Sequence, residues 1–192
     1  MYQALLARLA GALDGAAIEY MVIGGQAVLV HGEPRLTRDI DITLGVDSSE
    51  LGRVQQALTK TGLQSAVDDL VSFVKQTNVL PLLDERSRIH VDLIFSFTQY
   101  EREAIRRAVL IQLENVPVRF AEVEDLLIHK LVAGRPRDLE DIRGVLARRP
   151  KLDRSYLKKW LDGFSDVVGR DLGNQLQSIE SSLDLNRPLS KP

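Results

Sequence analysis

Two aspartates stand in a segment that otherwise has the pattern of a buried strand. Asp39 and Asp41 lie within RLTRDIDITL, residues 35–44, in which apolar and polar residues alternate. A period of two predicts a strand with one apolar face. Aspartate is depleted from strands, and carboxylates at positions i and i+2 point to the same side and repel each other. Either solvent or a bound cation must relieve this repulsion, and a cation would make the pair a chemical site.

A third carboxylate interrupts another apolar strand. Asp92 lies within RIHVDLIF, residues 88–95, and His90 shares its face. Carboxylates that project from adjacent strands suit one or two Mg²⁺ ions, which prefer oxygen ligands and bind together with substrate phosphates. Two such ions ~3.5–4 Å apart can hold the attacking and leaving oxygens of a phosphoryl displacement. The alternative interpretation of each aspartate is an exposed strand face.

A glycine pair precedes the acidic strand. Gly24 and Gly25 break the short apolar segment EYMVI and lead into a predicted helix, GQAVLVHG. Without Cβ atoms the backbone N–H groups can approach a ligand closely, and a helix N-terminus favours phosphate. Most glycine pairs are simply turns, so this pair gains weight only from the three aspartates.

The surrounding sequence predicts the elements that must position these residues. Leucines at helical spacing predict a helix over residues 3–18, and DSSELGRVQQALTKTG predicts another, capped by Asp47 or Ser48 and ended by Gly62. QTNVLPLLDERSRIHVDLIFSF and VLIQLENVPVRFA predict two strand pairs, with a charged helix, QYEREAIRRA, between them. From residue 122 onward the pattern predicts four helices. We therefore predict an α+β protein: a small mixed sheet with flanking helices at 1–120, and a helical region at 121–192.

Composition sets the remaining limits. The 192 residues are 44% hydrophobic and include no cysteine, which excludes disulfides and thiolate metal sites. The sequence shows neither a signal peptide nor an apolar run of the ~20 residues that a membrane span requires, so we expect a cytoplasmic protein with no membrane partner. Residues 141–160 are strongly cationic. A solvated helical face is the common explanation for such a run, and an RNA partner is the more specific one.

The segment VIGGQAVLVHGEPRLTRDIDITLGVD, together with EDLLIHKLVAGRPRDLEDI, resembles the polymerase-beta-like nucleotidyltransferase superfamily. In particular it resembles the nucleotidyltransferase-like proteins related to abortive-infection and toxin–antitoxin toxins. The resemblance covers residues 20–45, 88–96 and 122–146. It implies the nucleotidyltransferase fold, Mg²⁺ (or Mn²⁺), an NTP substrate, and transfer of an NMP to an acceptor hydroxyl. It also implies tRNA as an acceptor and a cognate antitoxin protein as a partner.

The resemblance assigns roles to seven residues. Three aspartates would bind the metal ions and act in catalysis, Lys130 would lie near the phosphates, and an acidic residue would follow that loop. Two glycines would cradle the triphosphate. Independently of the resemblance, two arginines that flank the acidic strand could bind phosphate. The catalytic set is Asp39, Asp41, Asp92, Lys130 and Asp138, and the nucleotide-binding set is Gly24, Gly25, Arg35 and Arg38. Gly25 stands where the family usually has a serine, so one side-chain donor to phosphate is missing.

Other interpretations stay open for several of these residues. Asp138 could be the N-cap of the helix predicted in DLEDIRGVLARR, with Asp141 at the third helical position, and Lys130 could be a solvated lysine. Arg35 and Arg38 could merely neutralise the aspartates. The alternatives for the whole protein are a catalytically silent binding module, a small-molecule (antibiotic-type) nucleotidyltransferase, and a metal-dependent phosphohydrolase.

Overall fold

The computed structural model describes residues 1–33, 35–96, 98–148 and 150–185. Within them the chain forms seven strands and nine α-helices. The helices are α1 (Tyr2–Gly15), α2 (Gly24–His31), α3 (Leu51–Leu58), α4 (Leu70–Thr77), α5 (Gln99–Arg107), α6 (Val123–Ala133), α7 (Pro136–Ala147), α8 (Arg154–Val168) and α9 (Leu172–Leu185). The strands are β1 (Tyr20–Ile23), β2 (Asp39–Leu44), β3 (Leu63–Ser65), β4 (Val79–Asp84), β5 (Ile89–Phe95), β6 (Val109–Leu113) and β7 (Val116–Phe120).

The chain divides into two compact units. One unit contains Met1–Ala27 and Arg35–Glu122, and the other contains Val28–Pro34 and Val123–Pro192. The second half of α2 is therefore grouped with the C-terminal helices, which the sequence did not suggest.

The first unit is built on one mixed sheet with the strand order β3-β4-β5-β2-β1-β7-β6. The central pair β2 and β5 is parallel, whereas β1–β2, β4–β5, β3–β4 and β6–β7 are antiparallel. β1 and β7 pair in parallel. The prediction of an α+β fold with a mixed sheet and flanking helices is confirmed.

Alternation in β2 and β5 buries one face of the sheet. In β2, Ile40, Ile42 and Leu44 are at most 1% exposed. In β5, Val91 and Leu93 are fully buried. This face supplies the core of the first unit, because the apolar side chains at every second position point to the same side and are buried together. The intervening positions are therefore the ones available for a site.

Two elements of the first unit were missed. β3 has only three residues, too few for a period to be recognised. α4 is a short amphipathic helix, in which the N-cap Asp69 accepts a hydrogen bond from Ser72 N–H at 3.1 Å and Asn78 ends the helix in the left-handed conformation. The sequence had assigned the beginning of a strand to Gln76 and Thr77, which are the last residues of α4. The strand itself begins at Val79.

Four helices make up most of the second unit, as the sequence predicted. α6 packs against α7, α8 and α9, and α8 packs against α9. Arg170 closes the C-terminal end of α6 by donating to the carbonyl oxygens of Leu131 and Val132 at 3.3 and 2.7 Å. Such a cation satisfies carbonyls that have no partner within the helix.

Across the described part of the chain, no helix is both long and apolar enough to span a bilayer. Arg149 of the cationic segment and residues 186–192 fall outside the described residues.

Candidate active site

The turn between β1 and α2 lies directly against the acidic strand. Gly24 has a left-handed φ of +61°, and a Cβ atom added there would lie 2.0 Å from the Asp41 carboxylate oxygen Oδ2. No side chain fits in that space, so both the backbone conformation and the close approach require glycine. The first N–H groups of α2 have no partner within the helix, and the partial positive charge of this end favours an anion. The geometry therefore suits phosphate binding beside a carboxylate.

The predicted metal ligands lie on one face of the sheet. Asp41 is in register with Asp92 across the parallel pair β2–β5, and Asp39 is in register with His90. Because residues in register point to the same side, and residues two apart do so too, all four side chains share one face. Asp39 and His90 are exposed, whereas Asp41 and Asp92 are half-buried.

The surroundings of Asp92 disfavour its ionised form. Burial raises the pKa of Asp92, the nearby Asp39 carboxylate raises it further, and His90 opposes both effects. Asp39 accepts a hydrogen bond from the backbone N–H of Arg38 at 3.1 Å. Within the described part of the chain, no lysine or arginine forms an ion pair with Asp39 or Asp92. A bound cation would relieve the repulsion that raises this pKa.

The donor set fits a hard divalent cation that keeps part of its water shell. Among residues 1–33, 35–96, 98–148 and 150–185, no three carboxylate or imidazole groups form a ready-made metal cluster. Mg²⁺ does not require one, because it is commonly bound by one or two carboxylates together with waters and substrate phosphates. Asp39, Asp41 and Asp92 offer oxygen donors on adjacent strands beside the Gly24 turn. Their assignment as metal ligands stays a prediction.

Two residues that the sequence analysis did not single out also lie at this site. Thr37 is 7% exposed, and its hydroxyl lies 3.5 Å from Oδ1 of Asp39. Gln26 is 5% exposed and directs its Nε2 toward the backbone carbonyl of Asp39, also at 3.5 Å. Thr37, Asp39 and Asp41 stand at every second position of the segment 35–44. This spacing is the signal that could have identified Thr37.

The two arginines differ in position. Arg35 is half-buried, and its Nη2 would lie 3.4 Å from a Cβ atom added at Gly25. It therefore reaches the beginning of α2, where a phosphate would bind. Arg38 is exposed, and its backbone N–H, rather than its side chain, contacts Asp39. Their assignment to phosphate binding also stays a prediction.

Lys130 and Asp138 lie in the second unit, within a buried ion-pair cluster. The Lys130 ammonium lies 2.7 Å from a carboxylate oxygen of Asp138 and 2.7 Å from one of Asp141. All three residues are at most 8% exposed. Burial pushes the pKa of Asp138 upward, but hydrogen bonds from Lys130 and Arg135 outweigh burial and hold this pKa below its ordinary value. The interpretation of Lys130 as a solvated lysine was wrong.

Asp138 is not the N-cap residue of its helix, although its side chain does take part in capping. α7 begins at Pro136, with Arg135 at the N-cap, so that Asp138 is the third helical residue. From that position its carboxylate accepts hydrogen bonds from the backbone N–H and from Nε of Arg135, at 3.2 and 2.8 Å. Proline at the first helical position sets the beginning of the helix one turn earlier than the sequence suggested.

The cationic segment 141–160 is partly neutralised. Arg154 pairs with Glu180 and Lys158 pairs with Asp162, each at 2.7 Å. Arg148 donates to the Gly32 carbonyl at 2.5 Å, and the Lys159 ammonium lies 4.4 Å from the centre of the Trp160 ring. The segment therefore presents less free positive charge than its composition suggests.

Known proteins resemble this chain in sequence pattern and in fold. A family model described as "Nucleotidyltransferase of unknown function (DUF6036)" matches residues 4–169. An antigenic nucleotidyltransferase-like protein from Paracoccidioides brasiliensis has a similar structure, with 19% identity, 91% of each chain covered and a TM-score of 0.54. ANT(2")-Ia in complex with adenylyl-2"-tobramycin aligns at 12% identity over 96% of this chain and 97% of that one, with a TM-score of 0.49. No curated protein gave a significant match.

Proposed function

Because the chain belongs to the family of nucleotidyltransferases of unknown function (DUF6036), we propose that it transfers a nucleoside monophosphate from an NTP to an acceptor hydroxyl with the help of Mg²⁺ or Mn²⁺. The observation that carries the proposal is the contact between the Gly24 turn and Asp41, which is itself in register with Asp92. A phosphate-binding backbone and paired carboxylates thus occur within one small region. Solvated strand aspartates alone would not explain the tight glycine turn.

The proposed chemistry assigns one task to each part of this region. The N–H groups at Gly24 and Gly25 hold the triphosphate, and Asp39, Asp41 and Asp92 hold the metal ion. An ion held there would supply positive charge that neutralises the phosphates. The acceptor oxygen attacks the α-phosphorus, the bond to pyrophosphate breaks, and Asp92 takes the hydroxyl proton. Most of the rate enhancement comes from positioning and electrostatics.

The direct test is transfer of label from each α-labelled NTP, with Mg²⁺ or Mn²⁺, to total RNA, to protein or to a small hydroxyl compound such as an aminoglycoside. Transfer by the wild type but not by the Asp39→Asn/Asp41→Asn variant supports the proposal. Release of phosphate without transfer of label would favour a phosphohydrolase. Absence of turnover with every acceptor would favour a catalytically silent binding module.

We propose RNA, with tRNA as the first candidate, as the acceptor. The support is the resemblance together with the cationic segment, in which Arg143 and Lys151 are exposed. An Arg143→Ala/Lys151→Ala variant should then label RNA more weakly while labelling any small acceptor as well as the wild type does. Equal labelling of RNA by both proteins would contradict this choice of acceptor.

A role as the toxin of a toxin–antitoxin pair is a further proposal that rests on the resemblance. Induced expression should then arrest growth, the Asp39→Asn/Asp41→Asn variant should not, and co-expression of a neighbouring small protein should relieve the arrest. Arrest by the inactive variant would contradict a catalytic toxin.

A further inference from the structure

The side chain of Thr37 fills the space beside the first residues of α2. A Cβ atom added at Gly25 would lie 2.2 Å from Oγ1 of Thr37 and 2.8 Å from its Cβ. Residue 25 can therefore carry no side chain while Thr37 is present. The hydroxyl of Thr37, which precedes β2, therefore lies next to the N-terminal turn of α2.

This hydroxyl is buried but only loosely held. Thr37 is 7% exposed, and its only hydrogen-bond contact among the described residues is with Oδ1 of Asp39, at 3.5 Å. O–H···O hydrogen bonds normally measure 2.5–3.0 Å, so the contact is long for a charged acceptor. A buried hydroxyl without a good acceptor carries a desolvation cost. The same hydroxyl lies beside N–H groups that favour an anion, and one phosphate oxygen would supply the missing acceptor.

We propose that Thr37 is a nucleotide-binding residue that donates its hydroxyl to a phosphate oxygen held at the beginning of α2. The inference rests on the proposed function. Asp39 would hold a metal ion through its carboxylate, which would leave the Thr37 hydroxyl to donate to phosphate. Thr37 thereby supplies the side-chain donor that is missing at Gly25. In the family that the sequence resembles, the position of Gly25 usually holds a serine. The arrangement also explains why residues 25 and 37 constrain each other.

The first experiment measures binding of α,β-methylene NTP analogues, which cannot undergo nucleotidyl transfer, to the full chain with Mg²⁺ by titration calorimetry. Thr37→Val keeps the shape of the side chain and removes the hydroxyl, and a hydrogen bond to a charged group corresponds to a loss of about 10–100-fold in affinity. Thr37→Ser keeps the hydroxyl and should bind within about threefold of the wild type. The matched control is Thr61→Val, because Thr61 is also buried and its hydroxyl donates to the Leu58 carbonyl at 2.6 Å.

The second experiment transfers the hydroxyl from residue 37 to residue 25. Gly25→Ser alone should bind poorly, because its Cβ would meet both Oγ1 and Cβ of Thr37. Alanine at position 37 would still leave a Cβ at 2.8 Å, so the partner substitution must be Thr37→Gly. The Gly25→Ser/Thr37→Gly double variant should bind nucleotide more tightly than Thr37→Gly alone.

The outcomes separate the two proposals. If no NTP analogue binds the wild type, the proposed function fails and the role of Thr37 fails with it. If the wild type binds and Thr37→Val binds equally well, only the inference about Thr37 is overturned. Equal affinity of Thr37→Gly and the double variant would also overturn it. Thermal unfolding of each variant shows whether a loss of affinity comes from a loss of folded protein.

Discussion

Each of the two units contains a group of close carboxylates, and the two groups differ in how their negative charge is compensated. In the first unit, Asp41 and Asp92 lie in register on neighbouring strands and Asp39 lies on the same face. Burial, together with the nearby Asp39 carboxylate, raises the pKa of Asp92. In the second unit, Asp138 and Asp141 share the ammonium of Lys130, and the pKa of Asp138 is held low. The second group supplies its own counter-charge.

The contrast shows that acidic residues alone do not define a site. A buried carboxylate with a fixed cationic partner stabilises a fold or specifies its packing, because removal of either charge leaves the other unpaired. A carboxyl group whose pKa is raised by burial and by a neighbouring carboxylate costs stability when it is ionised, and such groups concentrate at functional sites. We therefore propose that the acidic strands carry the chemistry and that the ion pairs of Lys130 stabilise the second unit. The catalytic roles that the resemblance implies for Lys130 and Asp138 stay predictions.

The largest expected effect comes from removing the acidic pair. Asp39→Asn/Asp41→Asn should lower the rate of NMP transfer on the order of 10³-fold or more, because the charge that holds the metal ion is lost. The fold should be retained, since like charges are being removed. Label transfer and thermal unfolding measure the two effects. Asp47→Asn, which keeps a good N-cap in the next segment, is the control and should keep its activity.

The second effect tests whether the Lys130 cluster is structural. Lys130→Met leaves two buried carboxylates without their cation and should lower the free energy of unfolding by about 3–5 kcal/mol, measured by urea denaturation. The triple variant Lys130→Met/Asp138→Asn/Asp141→Asn should recover most of this loss. If the triple variant is stable but transfers no NMP, Lys130 or Asp138 also acts in catalysis, and the contrast between the two groups is weaker than we infer.

The third effect is stabilisation by metal. At a Mg²⁺ concentration one hundred times its dissociation constant, the free energy of unfolding should rise by about 2.7 kcal/mol. The rise should disappear with a chelator and in the Asp39→Asn/Asp41→Asn variant. It should persist in Asp138→Asn, whose carboxylate already has a cationic partner. An equal rise in both variants would place the Mg²⁺ site elsewhere.

The smallest effect is a difference in pH dependence. The raised pKa of Asp92 means that its ionised form is disfavoured in the folded state. The free energy of unfolding therefore gains from Asp92 as the pH falls from the raised, folded-state pKa to the ordinary value of 3.8. The lowered pKa of Asp138 has the opposite consequence. Its contribution is present above pH 3.8 and is lost as the pH falls through the lower, folded-state value.

In metal-free buffer at pH 7, Asp92→Asn should therefore raise the urea midpoint, and Asp138→Asn should lower it. Between pH 6 and pH 3, Asp138→Asn should lose less stability than the wild type does. Midpoints that move in the same direction in both variants would remove the electrostatic distinction between the two groups.

Local patterns in the sequence were sufficient for most of the fold. Alternation predicted β2 and β5, leucine spacing predicted α1, and the glycine pair marked the beginning of α2. The same patterns placed Asp39, Asp41 and Asp92 on strand faces, because side-chain parity is fixed by the strand itself. Short elements such as β3 and α4 were not predicted, since segments of three to eight residues show too little periodicity to be distinguished from a loop.

Only the tertiary structure decided which residues meet. The register between β2 and β5 put Asp41 beside Asp92, and the packing of the turn put Gly24 against Asp41 and Thr37 against Gly25. It also turned Lys130 from an apparently solvated lysine into the centre of a buried ion-pair cluster. A sequence fixes the direction of a side chain along its own element, whereas the partner of that side chain depends on which distant element packs there.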